Sequence, residues 1–180
     1  MEKQKFKILP TESKIEWIGS KVTGSHNGTI AIKGGELLFA NDQLTGGTVI
    51  ADTTRITILD ITDPGTNAQF AGHLASDDFF SSQKYPEAAL EITAVNKNEV
   101  VANLTIKGIT NPLRFEVEIS RTFDIVTARA KAVIDRTAYD MKFRSGNFFT
   151  NLGDTLIYND FELYVTLSAK AVNESVSVAA

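Results

Sequence analysis

The feature that most limits what this chain can fold into is a hydrophobic period of two. Apolar side chains recur at alternate positions through Leu90, Ile92 and Ala94, then Val100, Ala102, Leu104 and Ile106, then Leu113, Phe115, Val117 and Ile119. Successive residues of a strand point to opposite faces, so each series buries one face and wets the other. A helix would need apolar positions three and four apart, which these segments do not offer.

The same pattern extends over most of the chain. Alternation from Ser13 to Val22 and from Thr29 to Ala40, with Gly24, Gly28, Gly34 and Gly35 punctuating the turns, predicts two or three strands. Leu44 to Leu59 is dense in Thr, Val and Ile, the β-branched types that suit a pleated surface, and reads as one long strand or two. Val126 to Ile134 and Phe161 to Leu167 add two more. Only Asp63 to Asp78 departs: Asp-Pro-Gly opens a turn, and Phe70 and Leu74 stand four apart, which predicts one short helical segment near residues 66–76. Roughly eight antiparallel strands call for a sandwich or a barrel, and closure alone leaves no exposed edge. The expected fold is all-β: a closed antiparallel eight-stranded barrel, a single domain over residues 1–180 with its core at about 8–167.

Composition narrows the function. A net charge of −4 offers no basic surface for a phosphate backbone, so nucleic acid is not an expected partner. There is no cysteine, which removes disulfides and thiolate chemistry together. His26 and His73 are the only histidines; neither adjoins a GxSxG or HExxH pattern, and no metal-ligand spacing is present. The expectation is therefore no catalytic residue, no metal and no cofactor. His26 lies in Gly-Ser-His-Asn-Gly, read as a turn that is solvated or at a barrel mouth. His73 reads as a structural histidine bonded to backbone, and Asp77-Asp78 as turn-closing residues. The rival is an enzyme acting on a bound lipid, with His73 as base and Asp77 or Asp78 orienting it.

The opening MEKQKFKILPTESKIEW holds no apolar run that would serve for export, so the compartment expected as written is the cytoplasm, with the periplasm as alternative if a native signal has been removed. The triplets at Asn27, Asn103 and Asn173 are read as chance, and AVNESVSVAA as a last edge strand or a loose tail.

One strand is built differently from the rest. Ala128, Ala130 and Ala132 share a face, with Thr127, Arg129 and Lys131 on the other, so the inward side of that strand is made of methyl groups. Small barrels ordinarily fill their interior with bulky side chains. With Ala102 on a neighbouring series, a lined void is one expectation; interdigitation by Phe115 or Phe161 is the other.

The stretch GHLASDDFFSSQKYPEAALEI, followed by ANLTIKGITNPLRFEVEI, resembles the signature of the YceI-like family. The resemblance rests on His73-Leu74, Asp78-Phe79-Phe80, Tyr85-Pro86, Leu104 to Thr110 with Pro112, and Asp135-Arg136 with Tyr139 and Met141, and spans roughly Ile8 to Leu167. It implies a lipocalin-like barrel that holds a long apolar lipid, polyisoprenoid or quinone-like, as carrier, store or sensor, and it implies a homodimer. The ligand-binding residues expected are Ala102, Leu104, Phe115, Val117, Ala128, Ala130, Ala132 and Leu163 inside, with Trp17, Phe79 and Phe80 gating or supporting the entrance. Two positions depart from the family pattern: Ala71 stands where an acid often precedes the histidine, and Asp140 where a glycine is common. Two further rivals are open: a transmembrane barrel with Leu113, Phe115, Val117 and Ile119 facing lipid, and a ligand-free module with a filled interior.

Overall fold

Nine strand segments make eight staves. In the computed structural model, which describes residues 3–172, β1 (Lys3–Ile8) and β2 (Lys14–Lys21) run in the same direction between β3 (Gly24–Ala40) and the last strand. β1 covers the far half of β3, with Phe6 opposite Leu37, and β2 the near half, with Ile15 opposite Ile30. Between them Pro10–Glu12 is looped out as a 3-10 turn. Ser13 clasps its base: the hydroxyl donates to the Leu9 carbonyl at 2.8 Å, and the Ser168 N–H donates to that hydroxyl at 2.9 Å. Proline cannot donate to a ladder, so its place in the excursion leaves both half-staves fully bonded.

From β3 the chain meanders through β4 (Gln43–Ile58), β5 (Glu87–Asn96), β6 (Glu99–Ile106), β7 (Ile109–Thr122), β8 (Ile125–Asp135) and β9 (Ile157–Ala171). β9 then pairs with β2, Leu163 opposite Trp17, and the antiparallel barrel is closed. Sequence reading placed these strands, took β4 as one or two where it is one, read Gly28, Gly34 and Gly35 as turn residues where they lie within β3, and did not predict β1. Val172 still bonds, its N–H donating to the Lys5 carbonyl; the rest of the C-terminal tail, with the Asn173 triplet, lies outside the described residues.

Tight hairpins set the registers. Lys107 and Gly108 both have positive φ (54° and 73°), as a two-residue turn of the primed type demands. Where β3 crosses β4, a Cβ on Gly35 would stand 2.2 Å from the Thr48 carbonyl oxygen, so only glycine allows that approach.

The helix α1 spans Pro64–Ala75, starting two residues before the predicted segment. Asp63-Pro64-Gly65 is its cap and first turn rather than a preceding turn: the Asp63 carboxylate accepts from the Thr66 N–H (2.8 Å) and hydroxyl (2.7 Å), with Pro64 at the first helical position. The Asn67 amide donates to the carbonyls of Ile58 and Ile61, both at 3.0 Å, and ties the helix to the end of β4. No α1 side chain is fully buried; Phe70, Ala71 and Leu74 are half-buried against the core. The helix therefore lies across one end of the barrel as a cover.

The opposite end is packed shut. Phe6 is fully buried, meets Phe39 edge-on at 5.1 Å between centroids, and is overlain by the Arg121 guanidinium, which bonds Asp42 and Gln4.

Apolar residues face inward and charged residues outward. On β7, Val117 is buried and Leu113 and Phe115 point into the barrel, while Arg114, Glu116 and Glu118 are exposed. This is the reverse of a barrel embedded in lipid, whose outer face must be apolar. Ile119, expected on the inward face, is 38 % exposed where β7 runs past β6, whose ladder with it ends at Glu99 and Glu116. No helix among the described residues is long and apolar enough to cross a membrane.

Candidate functional site

Inside the barrel lies an apolar cavity of about 130 Å³. The alanine face of β8 lines it at Ala128, Ala130 and Ala132, together with Leu104, Phe115, Val117 and Leu163. Both sequence expectations are met in part: Phe115 and Phe161 line the same space as the alanines, and a void remains there. Ala102 is the exception. It points inward and is fully buried, yet it stands off the cavity, in the wall between Ile92 and Leu113 on the flanking strands.

A second cavity, of about 340 Å³, opens at the end covered by α1. Trp17, Phe79 and Phe80 line this mouth, beside Phe70 and Leu74 of α1 and Phe143 of the loop before β9. Phe80 and Phe161 line both cavities and so form the partition between mouth and interior.

Each mouth element is held by a specific polar contact. Gly28 makes room for Trp17, whose Nε1 donates to the Thr57 carbonyl at 3.2 Å and whose ring stacks on Phe70 at 6.4 Å. The segment from 76 to 86 is pinned to β4 through the buried Thr53, whose hydroxyl donates to the Tyr85 carbonyl (2.6 Å) and whose own carbonyl accepts from Ser82 (2.7 Å). Lys107, at the tip of the β6–β7 hairpin, donates to the carbonyls of Asp77 (2.7 Å) and Asp140 (3.0 Å), stapling two mouth loops together.

Arg136 holds the third loop. Its guanidinium is 3 % exposed, and each of its three nitrogens donates to a carbonyl: Nε to Tyr158 (2.9 Å), the terminal nitrogens to Met141 (2.6 Å) and Ile157 (2.9 Å). Burial lowers its pKa from the ordinary arginine value, against the opposing charge of Asp135. Sequence reading had Arg136 only as part of a motif; a charged residue ending an otherwise alternating strand was the available signal.

Both histidines lie at the mouth. His26 is within β3, not in a turn, because the hairpin closes earlier, at Val22-Thr23. Its Nδ1 is 2.8 Å from Asp60, and its ring meets Phe70 edge-on. Burial raises the pKa of Asp60, but the Asn27 N–H and His26 outweigh it and the net shift is downward. His73 bonds through its side chain rather than to backbone: Nε2 is 3.0 Å from Asp78, which supplies the acid that Ala71 does not. The imidazole stands edge-on between Phe79 and Phe143, at 5.0 and 4.6 Å. Asp77 is turned away and accepts from Ser81 (2.6 Å), and the nearby Ser76 hydroxyl donates to the His73 carbonyl rather than to the ring. Neither of the nearby hydroxyls, Ser76 or Ser81, bonds to the imidazole or the carboxylate of the His73–Asp78 pair. Among the described residues no group of three or more His, Asp or Glu is placed to hold a metal ion.

Comparison with known proteins agrees with this architecture. A UPF0312 protein of Vibrio parahaemolyticus is 34% identical over 117 residues, covering 62% of this chain and 61% of that one. Protein YceI of Escherichia coli is 28% identical over 107 residues, 57% of this chain and 56% of its own. A UPF0312 protein of Staphylococcus aureus is 46% identical over 48 residues, 27% and 28% of the two chains. The chain thus aligns with less than two thirds of the length of these curated relatives. Among solved structures, a polyisoprenoid binding domain from Saccharophagus degradans superposes with a TM-score of 0.70 at 12% identity, over 93% of this chain and 98% of that one. Burkholderia cenocepacia BcnA superposes at 0.67 and 16% identity, over 91% and 99%. At these identities the superpositions show a shared fold. The family model of the YceI-like domain matches residues 6–169, nearly the whole barrel from the first buried residue of β1 to the end of β9, and the chain belongs to that family.

Proposed function

We propose that this protein binds the apolar chain of a long lipid, of the isoprenoid or isoprenoid-quinone kind, with the tail in the barrel and the head at the mouth, and that it carries the lipid rather than transforms it. One observation carries the reading: two mostly apolar cavities adjoin along the barrel, with Phe80 and Phe161 lining both, and the far end is closed by Phe6 and Phe39. The mouth cavity is within the range of about 300–1,000 Å³ usual for small-ligand sites. Entry of a long tail requires the two rings to turn aside. Burial of each five-carbon unit is worth roughly 4 kcal/mol gross, at about 0.8 kcal/mol per methylene-sized group. A few units outweigh the cost of ordering the tail and rotating two side chains. The fold shared with the polyisoprenoid binding domain from Saccharophagus degradans supports the ligand class.

The test is native mass spectrometry of protein purified without detergent, with solvent extraction of the same sample. A near-stoichiometric long-chain lipid is the expected result. A bare protein that also takes up no geranylgeraniol or ubiquinone on addition would replace this reading with a ligand-free module.

A further inference from the structure

We infer that the mouth selects an acidic head group, a carboxylate or a phosphate ester, over a neutral quinone, alcohol or hydrocarbon end. The inference rests on the lipid-binding reading above, keeps its apolar tail, and favours an acidic head over the quinone alternative named there.

Cations outnumber carboxylates in the lining of the mouth cavity, although the chain as a whole is acidic. The protein carries −4 overall, yet Lys21, Arg136 and Arg144 line the mouth cavity against a single lining carboxylate, Asp160. His26 and His73 also line it, each already paired with an aspartate that does not, Asp60 and Asp78. Among the described residues Lys21, Arg136 and Arg144 make no ion pair. Arg144 lies over the ring of Phe143 at 4.9 Å, which places it at the cavity wall.

Arg136 is the strongest element. Arg136, 3 % exposed, hydrogen-bonds only to neutral carbonyls, one per nitrogen, so each terminal nitrogen carries one N–H more than these bonds use, and the residue lines the cavity with Phe79, Phe143 and Met141. The neighbouring charge of Asp135 offsets only part of the burial cost of Arg136, and an arriving anion adds a charge partner where solvent screens it least. Carboxylates and phosphates match the guanidinium fork, whereas a quinone carbonyl gains only a neutral hydrogen bond.

The experiment compares hexadecanoic acid, hexadecyl phosphate and 1-hexadecanol, one chain with three heads, by fluorescence displacement on the intact protein, with inorganic phosphate alone as a fourth probe. The two acids are expected to bind at least about tenfold more tightly than the alcohol, as charge-assisted hydrogen bonds to a buried group allow. In the K21Q/R144Q variant, and at high salt, that gap is expected to narrow. Equal affinity for all three heads would overturn the head-group assignment and leave the lipid reading intact. Failure of every chain to bind would remove both. Inorganic phosphate competing as strongly as hexadecyl phosphate would make this a site for free anions and also overturn the assignment.

Discussion

Gly28 lies opposite Trp17 across the β2–β3 ladder, and a Cβ at position 28 would stand 2.8 Å from Cζ2 of the indole and 1.7 Å from the Thr57 carbonyl oxygen. That oxygen is the one to which Trp17 Nε1 donates. One missing methyl group thus permits the close approach of three strands and fixes the tryptophan at the mouth. Gly28→Ala must push β4 away or turn the indole. Overpacking of this kind costs about 1–3 kcal/mol, and Trp17 is the only tryptophan, so its emission reports the site directly. Urea unfolding followed by that emission should show the loss together with a shifted native spectrum. A variant with wild-type midpoint and spectrum would mean that the indole is not held by this contact.

Phe80 is 9 % exposed and faces both cavities. Phe80→Ala should merge mouth and interior at a stability cost of about 3–5 kcal/mol, the usual range for a buried Phe→Ala change. In return, the longest alcohol that binds without loss of affinity should lengthen, because the tail no longer has to displace a ring. A homologous series of n-alkanols titrated against wild type and variant separates the outcomes: an unchanged length limit would show that Phe80 is wall and not partition.

Ala130 lines the interior void from β8. A phenylalanine there occupies the cavity rather than a packed core, so Ala130→Phe should keep stability within about 1 kcal/mol of wild type while abolishing uptake of long chains. Circular dichroism and a lipid titration on the same sample are needed. Undiminished binding would move the tail site out of the barrel and confine it to the mouth.

Period-two alternation made most of the barrel legible, because each strand from β2 to β9 has one wet and one dry face and the pattern must follow. β1 escaped: Lys3 to Ile8 carries Phe6 and Ile8 as its only buried side chains, too few positions for a period to stand out. The cavity was legible at Ala128, Ala130 and Ala132, where small residues took the inward places, and failed at Ala102, where the flanking strands close over the methyl group. The mouth was legible mainly through resemblance. Its aromatic residues come from β2, α1, β9 and two loops, and no local pattern says that Phe79 and Phe143 flank His73 or that Arg136 gathers three carbonyls; those relations arise from chain closure.

Lys107 provides the most direct test of how the mouth is held together. Its side chain is only 7 % exposed, its ammonium donates to the carbonyls of Asp77 and Asp140, and the Asp140 carboxylate is 4.0 Å away. Both loops meet at this one ammonium, which a two-residue turn projects from the β6–β7 hairpin. Lys107→Met preserves the length and apolar stem of the side chain but removes both donors, and it leaves two carbonyls to find water. Hydrogen bonds to a charged group are worth about 1.5–3 kcal/mol, so the effect should be local and substantial. Hydrogen exchange is expected to speed up in residues 76–86 and 136–144 with the strands unaffected, since the ladders do not involve this ammonium. Lipid off-rates should rise in parallel if the loops retain the head group. Uniformly faster exchange across β5 to β8 would instead make Lys107 a determinant of the hairpin itself, and unchanged exchange in both loops would show that Thr53 and Arg136 hold them without it.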